Sequence, residues 1–189
     1  MIFDIARHPE DTTDGGLTDT GQKQIESLIL RLRESKYDYF AASPYFRCCS
    51  TLSQITTNLN INESRIISDL KLCTPRPNEW DSVFSSTRFQ TLLPAAGSKY
   101  NAALILAPEL LMIDAIYFES ELVRASRNLP QSSRVFCISH NTMILAAYHH
   151  IMHGSLDIRE RANVEHCQIY RFNVYPDHVV NCSIPDLGR

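Results

Sequence analysis

Two histidines and two arginines in this sequence are the side chains best suited to chemistry on a phosphate group. Arg7 and His8 follow a short apolar segment near the N-terminus, Arg47 lies about a quarter of the way along the chain, and His140 ends another apolar segment. A neutral histidine can attack phosphorus when its other ring nitrogen is held by a hydrogen bond. Arginine keeps its charge and binds phosphate oxygens in a bidentate manner. The four residues could form a phosphoryl-transfer site if the fold brings them together.

The elements around these residues predict how they are positioned. Short, β-prone segments predict strands over residues 1–6, 37–42, 65–68, 135–139, 168–174 and 179–184. Helical spacing and helix-starting residues predict helices over residues 19–35, 44–60, 119–129 and 141–153. Thr18 is the expected N-cap of the first helix, Pro44 suits the first turn of the second, and Gly154 is the expected C-cap of the last.

The alternation of strands and helices predicts an α/β fold in three layers, with a mainly parallel sheet flanked by helices. Ligands of such sheets bind at the carboxyl ends of the strands. Arg7 with His8, Arg47 and His140 all follow predicted strands. We therefore expect them at one edge of the sheet, where they would hold and transfer a phosphoryl group.

Residues 73–116 interrupt the alternation. Residues 73–82 hold two prolines and the only tryptophan, which predicts a loop, and residues 83–116 predict an inserted helical cap. We interpret residues 1–189 as a single domain with this small helical cap as an insertion. Arg76 and Trp80, in the predicted loop, are possible substrate contacts at the mouth of the site.

Composition narrows the class of protein. A net charge of −3 gives no reason to expect nucleic-acid binding. The sequence shows no secretory signal pattern and no apolar run of membrane-spanning length. Its six cysteines lack metal-ligand spacing and are expected to be reduced. We expect a cytoplasmic protein with no metal and no membrane association, and we leave the oligomeric state open.

Five segments, in this order along the chain, resemble motifs of the histidine phosphatase superfamily, whose members have the phosphoglycerate mutase-like fold. They are Ile5–His8 (IARH), Leu17–Gly21 with Gln24 (LTDTG), Ser43–Arg47 with Thr51 (SPYFRCCST), Glu119–Ser120 with Arg124, and Val135–His140 (VFCISH). The resemblance covers most of the chain apart from about residues 73–116. It implies that His8 is the nucleophile and forms a phosphohistidine, that Arg7, Arg47 and His140 bind the phosphate, and that no cofactor takes part.

Some positions depart from the family pattern. Pro9 and Asn141 stand where a glycine usually follows each histidine, and the first loop lacks the asparagine that many relatives carry. Because proline has no backbone N–H, the amide after His8 cannot contact phosphate. Thr12 or Thr13 could supply a hydroxyl in place of the asparagine. We count Thr13, Asn141 and Glu79 among the possible substrate contacts.

A carboxylic acid must protonate the leaving oxygen and then activate water. Relatives usually place a glutamate shortly after the third strand, and Asp69 occupies that neighbourhood here. We predict Asp69 as this acid, with Glu79 and Asp81 as alternatives.

These residues predict a phosphomonoester hydrolase that acts through a phosphohistidine on a small phosphorylated substrate. Two alternatives remain. A phosphoprotein phosphatase acting on phosphohistidine would use the same residues under a shallow mouth. A catalytically weakened descendant would bind phosphate or protein partners without turnover.

Overall fold

The computed structural model describes residues 1–12, 16–156 and 164–185, and one six-stranded sheet organises these residues. The strands are β1 (Ile2–Arg7), β2 (Tyr39–Ala42), β3 (Ile66–Ile67), β4 (Arg134–Ser139), β5 (Ile169–Val174) and β6 (Val179–Ser183). Their order across the sheet is β3-β2-β4-β1-β5-β6. The pairs β3–β2, β2–β4 and β4–β1 are parallel, whereas β1–β5 and β5–β6 are antiparallel. The predicted α/β fold with a mainly parallel sheet is confirmed.

Helices cover both faces of the sheet. Those within the described residues are α1 (Asp19–Arg33), α2 (Phe46–Asn58), α3 (Pro77–Ser85), α4 (Thr87–Ala96), α5 (Lys99–Leu106), α6 (Pro108–Asn128) and α7 (Asn141–His153). Alternate residues of β4 serve two cores: Phe136 and Ile138 pack in the cluster that includes α1 and α2, and Val135 and Cys137 pack in the one that includes α6 and α7. The result is the expected three-layer arrangement.

The predicted helix boundaries are largely confirmed at the caps. The Thr18 hydroxyl accepts a hydrogen bond from the Gly21 amide at 2.9 Å, as an N-cap should. Gly154 has a φ of 67° and ends α7 in the left-handed region. Pro44 does not lie in the first turn of α2, because that helix begins at Phe46.

The insertion differs from its prediction. The loop expected over residues 73–82 is wrong in its second half, because α3 begins at Pro77, where a proline in the first turn costs no hydrogen bond. The helix expected over residues 119–129 is the second half of α6, which begins at Pro108. No single helix among the described residues is long and apolar enough to cross a membrane. Only α5 and α6 together, a pair bent by 115° at their junction, have the length and apolar composition of a membrane-spanning segment.

Asp4 fixes β1 between its two neighbours. Its buried carboxylate accepts hydrogen bonds from Arg134 on β4 at 2.8 Å, from Arg171 on β5 at 2.7 Å and from Tyr37 at 2.8 Å. Burial raises the pKa of Asp4, but these hydrogen bonds outweigh that effect and hold the pKa below 3.8. The register of β1 is thus cross-linked on both sides.

The start of α1 holds the loop that follows β1. The Glu10 amide donates to Gln24 Oε1 at 2.8 Å, and the Glu10 carbonyl accepts from the Thr18 amide at 3.3 Å. Gly21 lies against the same peptide, and a Cβ at this position would stand 2.0 Å from the Glu10 carbonyl oxygen. These contacts give a physical role to the LTDTG segment and Gln24: they fix the backbone two residues after His8.

We predict that Gly21→Ala destabilises the fold by about 1–3 kcal/mol, because the added methyl group forces backbone apart rather than a flexible side chain. Helix propensity alone would favour alanine over glycine by about 1 kcal/mol, so the sign of the change separates the two effects. Chemical unfolding of this variant and of the exposed control Thr20→Ala measures it. A Gly21→Ala protein as stable as the parent would contradict the close packing.

Candidate active site

The carboxyl ends of β1, β2 and β4 meet at one cavity of about 320 Å³. Its walls include Arg7, His8, Arg47 and His140, the four residues that the sequence singled out. The order β2-β4-β1 explains the convergence, because the strands that precede these residues are direct neighbours and parallel.

His8 is buried and held in one tautomer. Its Nδ1 lies 2.8 Å from the carbonyl oxygen of Pro9. A carbonyl can only accept, so Nδ1 carries the proton and Nε2 keeps its lone pair. Burial lowers the pKa of His8 to about 4, and the nearby charge of Arg47 adds to the shift. The imidazole is therefore neutral at neutral pH, with Nε2 available as a nucleophile.

His140 faces His8, with the two ring centroids 5.5 Å apart. Its Nε2 lies 2.9 Å from the Ser43 hydroxyl, and its Nδ1 accepts from Arg47 Nε at 3.4 Å. Because Nδ1 accepts, Nε2 carries the proton. Burial first, and then the charge of Arg47, lowers the pKa of His140 well below 6.5. His140 is thus neutral here and donates through Nε2.

The two arginines differ in exposure. Arg7 is half-buried and donates to the Val164 carbonyl at 2.6 Å. Burial lowers its pKa, yet a guanidinium keeps its charge at neutral pH. Arg47 has 44% of its side chain exposed and lies against the Tyr45 ring, 5.9 Å from its centroid. One cation is fixed in the wall and the other can adjust to a ligand.

Asp11 is part of the site, although sequence reasoning did not single it out. Its carboxylate lies 3.7 Å from His8 Nδ1 and 3.7 Å from Arg47 Nη1. It lines the cavity and partly neutralises the positive charge beside His8. Its position three residues after His8 is the only signal that the sequence offers.

Asp69, predicted as the acid, is not brought into the cavity. Its side chain is 69% exposed and forms an ion pair with Arg124 at 2.9 Å. Hydrogen bonds from Arg124 lower the pKa of Asp69 below 3.8, which favours the ionised form, the opposite of what a proton donor needs. Asp69 is therefore no longer a candidate for the acid.

Some of the remaining predicted substrate contacts line the cavity and others do not. Glu79 does not line the cavity and pairs with Arg76 at 3.3 Å, but Trp80 and Asp81 line the cavity. Asn141 lines it as well, and its Oδ1 accepts from the Val164 amide at 2.8 Å. Thr13 lies outside the described residues.

His166 lies on the other side of His8. Its Nδ1 is 2.9 Å from the His8 carbonyl oxygen, and its ring centroid is 5.8 Å from that of His8. This contact supports the backbone of His8 from the segment that leads into β5.

Asp114 on α6 is the second carboxylate that sequence reasoning did not assign. It lines the cavity, is 2% exposed, and accepts hydrogen bonds from Thr74 and Trp80, both at 2.7 Å. Burial raises the pKa of Asp114 to about 6, although the two hydrogen bonds act in the opposite direction. The available signal was a charged residue on the apolar face of a helix, between Leu111 and Phe118.

Comparisons with known proteins agree with this geometry. Residues 6–72 match the model of the histidine phosphatase superfamily (branch 1). No curated protein matches the sequence.

Three solved structures show the same fold at low identity. Phosphoserine phosphatase from Entamoeba histolytica, in complex with 3-phosphoglyceric acid, is 12% identical with a TM-score of 0.63, covering 98% of each chain. Phosphoglycerate mutase from Bacillus anthracis is 12% identical with a TM-score of 0.58, covering 98% of this chain and 91% of its own. The protein histidine phosphatase SixA, complexed with tungstate, is 14% identical with a TM-score of 0.55, covering 98% of this chain and 94% of its own.

We predict that Asp11→Asn binds inorganic phosphate about five-fold more tightly than the parent protein, because a negative charge no longer competes for Arg47. Titration calorimetry at low salt measures the change, with the exposed Asp19→Asn as a control for net charge. Weaker binding by Asp11→Asn would show instead that Asp11 holds Arg47 in its binding position.

We predict that Asp114→Asn is more stable than the parent above pH 6 and equally stable below pH 4. The folded pKa of about 6 exceeds the ordinary value of 3.8, so the carboxylate opposes folding once it ionises, and the cost reaches about 2 to 3 kcal/mol at neutral pH. Unfolding curves across this pH range measure the difference. A difference that does not vary with pH would contradict the raised pKa.

Proposed function

We propose that this protein hydrolyses phosphomonoesters of a small substrate through a phosphohistidine on His8. The premise is the match of residues 6–72 to the histidine phosphatase superfamily. The observation that carries the proposal is the hydrogen bond between His8 Nδ1 and the Pro9 carbonyl. It leaves Nε2 unprotonated in a cavity whose walls also hold Arg7 and Arg47. A fixed neutral imidazole beside two cations is what a phosphorus nucleophile needs.

The first step transfers the phosphoryl group to the enzyme. Arg7 and Arg47 bind the equatorial phosphate oxygens, and His140 lies beside them with its Nε2–H donated to the Ser43 hydroxyl. His8 Nε2 forms a bond to phosphorus as the ester P–O bond breaks, and the leaving oxygen takes a proton from an acid. In the second step water attacks phosphorus, the N–P bond breaks, and inorganic phosphate is released.

Pro9 determines how the phosphate is held. Its ring removes the backbone donor that would follow the nucleophile, so side chains must supply the contacts on this side. The same residue orients the nucleophile through its carbonyl oxygen. The departure at this position therefore shifts binding towards Arg7 and Arg47 while it keeps the tautomer that attack requires.

The walls of the cavity favour a small substrate over a phosphoprotein. Trp80 and Phe84 of α3 stack with ring centroids 5.0 Å apart and line the cavity together with Tyr45. Lys99, at the start of α5, lines it from another side. Helices of the insertion thus stand over the phosphate end, which suits a compact organic group with an apolar part and room for a second anionic group at Lys99.

We predict that His8→Ala lowers hydrolysis of p-nitrophenyl phosphate by at least about 1,000-fold and abolishes acid-labile phosphate labelling of the protein. In the parent, kcat/KM should rise with pH through about 4, as His8 loses its proton. His178→Ala, an exposed histidine in the turn between β5 and β6, serves as the control and should behave like the parent.

Other outcomes of this assay separate the alternatives. Parent-like turnover by His8→Ala would refute the proposal. Phosphate binding with no turnover of any ester over a broad pH range would indicate a binding protein. Turnover confined to a phosphohistidine peptide, with none on small esters, would indicate a phosphoprotein phosphatase.

A further inference from the structure

We propose that Asp114 and Thr74 form a two-residue relay that protonates the leaving oxygen and later takes the proton from water. The proposal rests on the proposed function and names the acid that the function requires. Both residues line the cavity that contains His8, and their side chains are hydrogen-bonded to each other.

Burial explains why two residues are needed. Asp114 lies on the core-facing side of α6 and is only 2% exposed, so its carboxylate is nearly closed to solvent. Thr74 is half-buried and lines the same cavity. The hydroxyl of Thr74 reaches Asp114 Oδ1 at 2.7 Å. A proton can therefore leave Asp114 through this hydroxyl.

The donors around the pair decide which oxygen carries the proton. Trp80 Nε1–H can only donate, and it lies 2.7 Å from Asp114 Oδ2, so Oδ2 is an acceptor in every protonation state. Oδ1 is left to bind the proton. The Thr74 hydroxyl can both donate and accept, and the Arg76 amide donates to its oxygen at 3.0 Å, which fixes that oxygen in place.

The transfer balances over the two half-reactions. When Asp114 is protonated, its Oδ1–H donates to Thr74 Oγ1, and the Thr74 O–H turns to the leaving oxygen. As the P–O bond breaks, the Thr74 proton passes to the leaving oxygen and the Asp114 proton passes to Thr74. Thr74 then donates to an ionised Asp114, which is the hydrogen bond that the structure shows. Attack by water runs the same transfers in reverse and returns the proton to Asp114.

The other carboxylates near the cavity fit this role less well. Asp11 lies beside His8 and Arg47, where phosphate binds, rather than on the far side where a leaving group must stand. Asp81 lines the cavity but is exposed to solvent. Asp114 combines a place on the wall with burial, and burial raises its pKa to about 6, which lets it hold a proton in mildly acidic solution.

The charged and titratable groups around Asp114 leave it as the group that titrates near pH 6. Arg76 lowers its pKa and stays charged. Burial raises the pKa of the Cys73 thiol and of the Tyr45 phenol, so both remain neutral in this range. With esters that leave poorly, the rate should therefore fall as pH rises through about 6. Below that, the limb near 4 belongs to His8.

A leaving-group series tests the relay with three variants. Asp114→Asn is matched in shape: its carbonyl can accept from Trp80 and its amide can donate to Thr74. Thr74→Val removes the hydroxyl, and Thr74→Ser keeps it. We expect the first two to slow an alkyl phosphate by about 100-fold or more, to slow p-nitrophenyl phosphate by less than about five-fold, and to lose the limb near pH 6. Thr74→Ser should stay close to the parent in every measurement, as should the control Asp69→Asn, whose side chain lies outside the cavity.

Each result bears on one of the two proposals. Equal slowing of both esters by Asp114→Asn, or a parent-like alkyl rate in Thr74→Val, would overturn the relay. A selective loss in Asp69→Asn would return the role to that residue. Formation of the acid-labile label from p-nitrophenyl phosphate in Asp114→Asn would show that His8 chemistry survives, so a failed relay is distinguishable from a failed phosphohistidine mechanism.

Discussion

The hydrogen bond from the His8 amide to the Ser139 carbonyl, 3.1 Å long, carries the parallel pairing of β1 with β4 one residue beyond the strands. It makes His8 and His140 leave the sheet side by side. A slip of one residue in this register would turn the side chains of β1 to the opposite face. Asp4 opposes such a slip, because its carboxylate binds Arg134 on one neighbouring strand and Arg171 on the other.

Once the histidines are placed, burial sets their charge. Desolvation is the largest cause of the lowered pKa of both His8 and His140, and the charge of Arg47 acts in the same direction. The cavity therefore presents neutral imidazoles beside two arginine side chains, an arrangement that would let phosphate bind without protonating His8. The Asp11 carboxylate partly offsets the positive charge of Arg47, because it lies 3.7 Å from both His8 Nδ1 and Arg47 Nη1.

What the sequence could predict follows from the range of each interaction. Thr18 and Gly154 cap their helices through contacts within one helical turn, and both predicted caps are confirmed. The convergence of Arg7, His8, Arg47 and His140 at one sheet edge follows from the regular alternation of strands and helices. The proposed acid pair could not be found this way, because Thr74 and Asp114 are 40 residues apart and their contact depends on how α6 packs. The prolines near Pro77 also predict a loop when considered locally, although proline suits the first turn of a helix.

Helix α6 contributes both to the hydrophobic core and to the wall of the cavity. Leu111, Ala115 and Phe118 are fully buried on the same face that carries Asp114, so the position of the carboxylate is set by core packing rather than by a loop. Packed side chains have few alternative arrangements, which gives a buried acid a fixed direction. Residues of α3 and α5 that line the mouth of the cavity, such as Lys99, are not held in place by core packing in this way. Changes there are expected to alter which substrate fits, while the positions of His8 and Asp114 are set by the sheet and by α6.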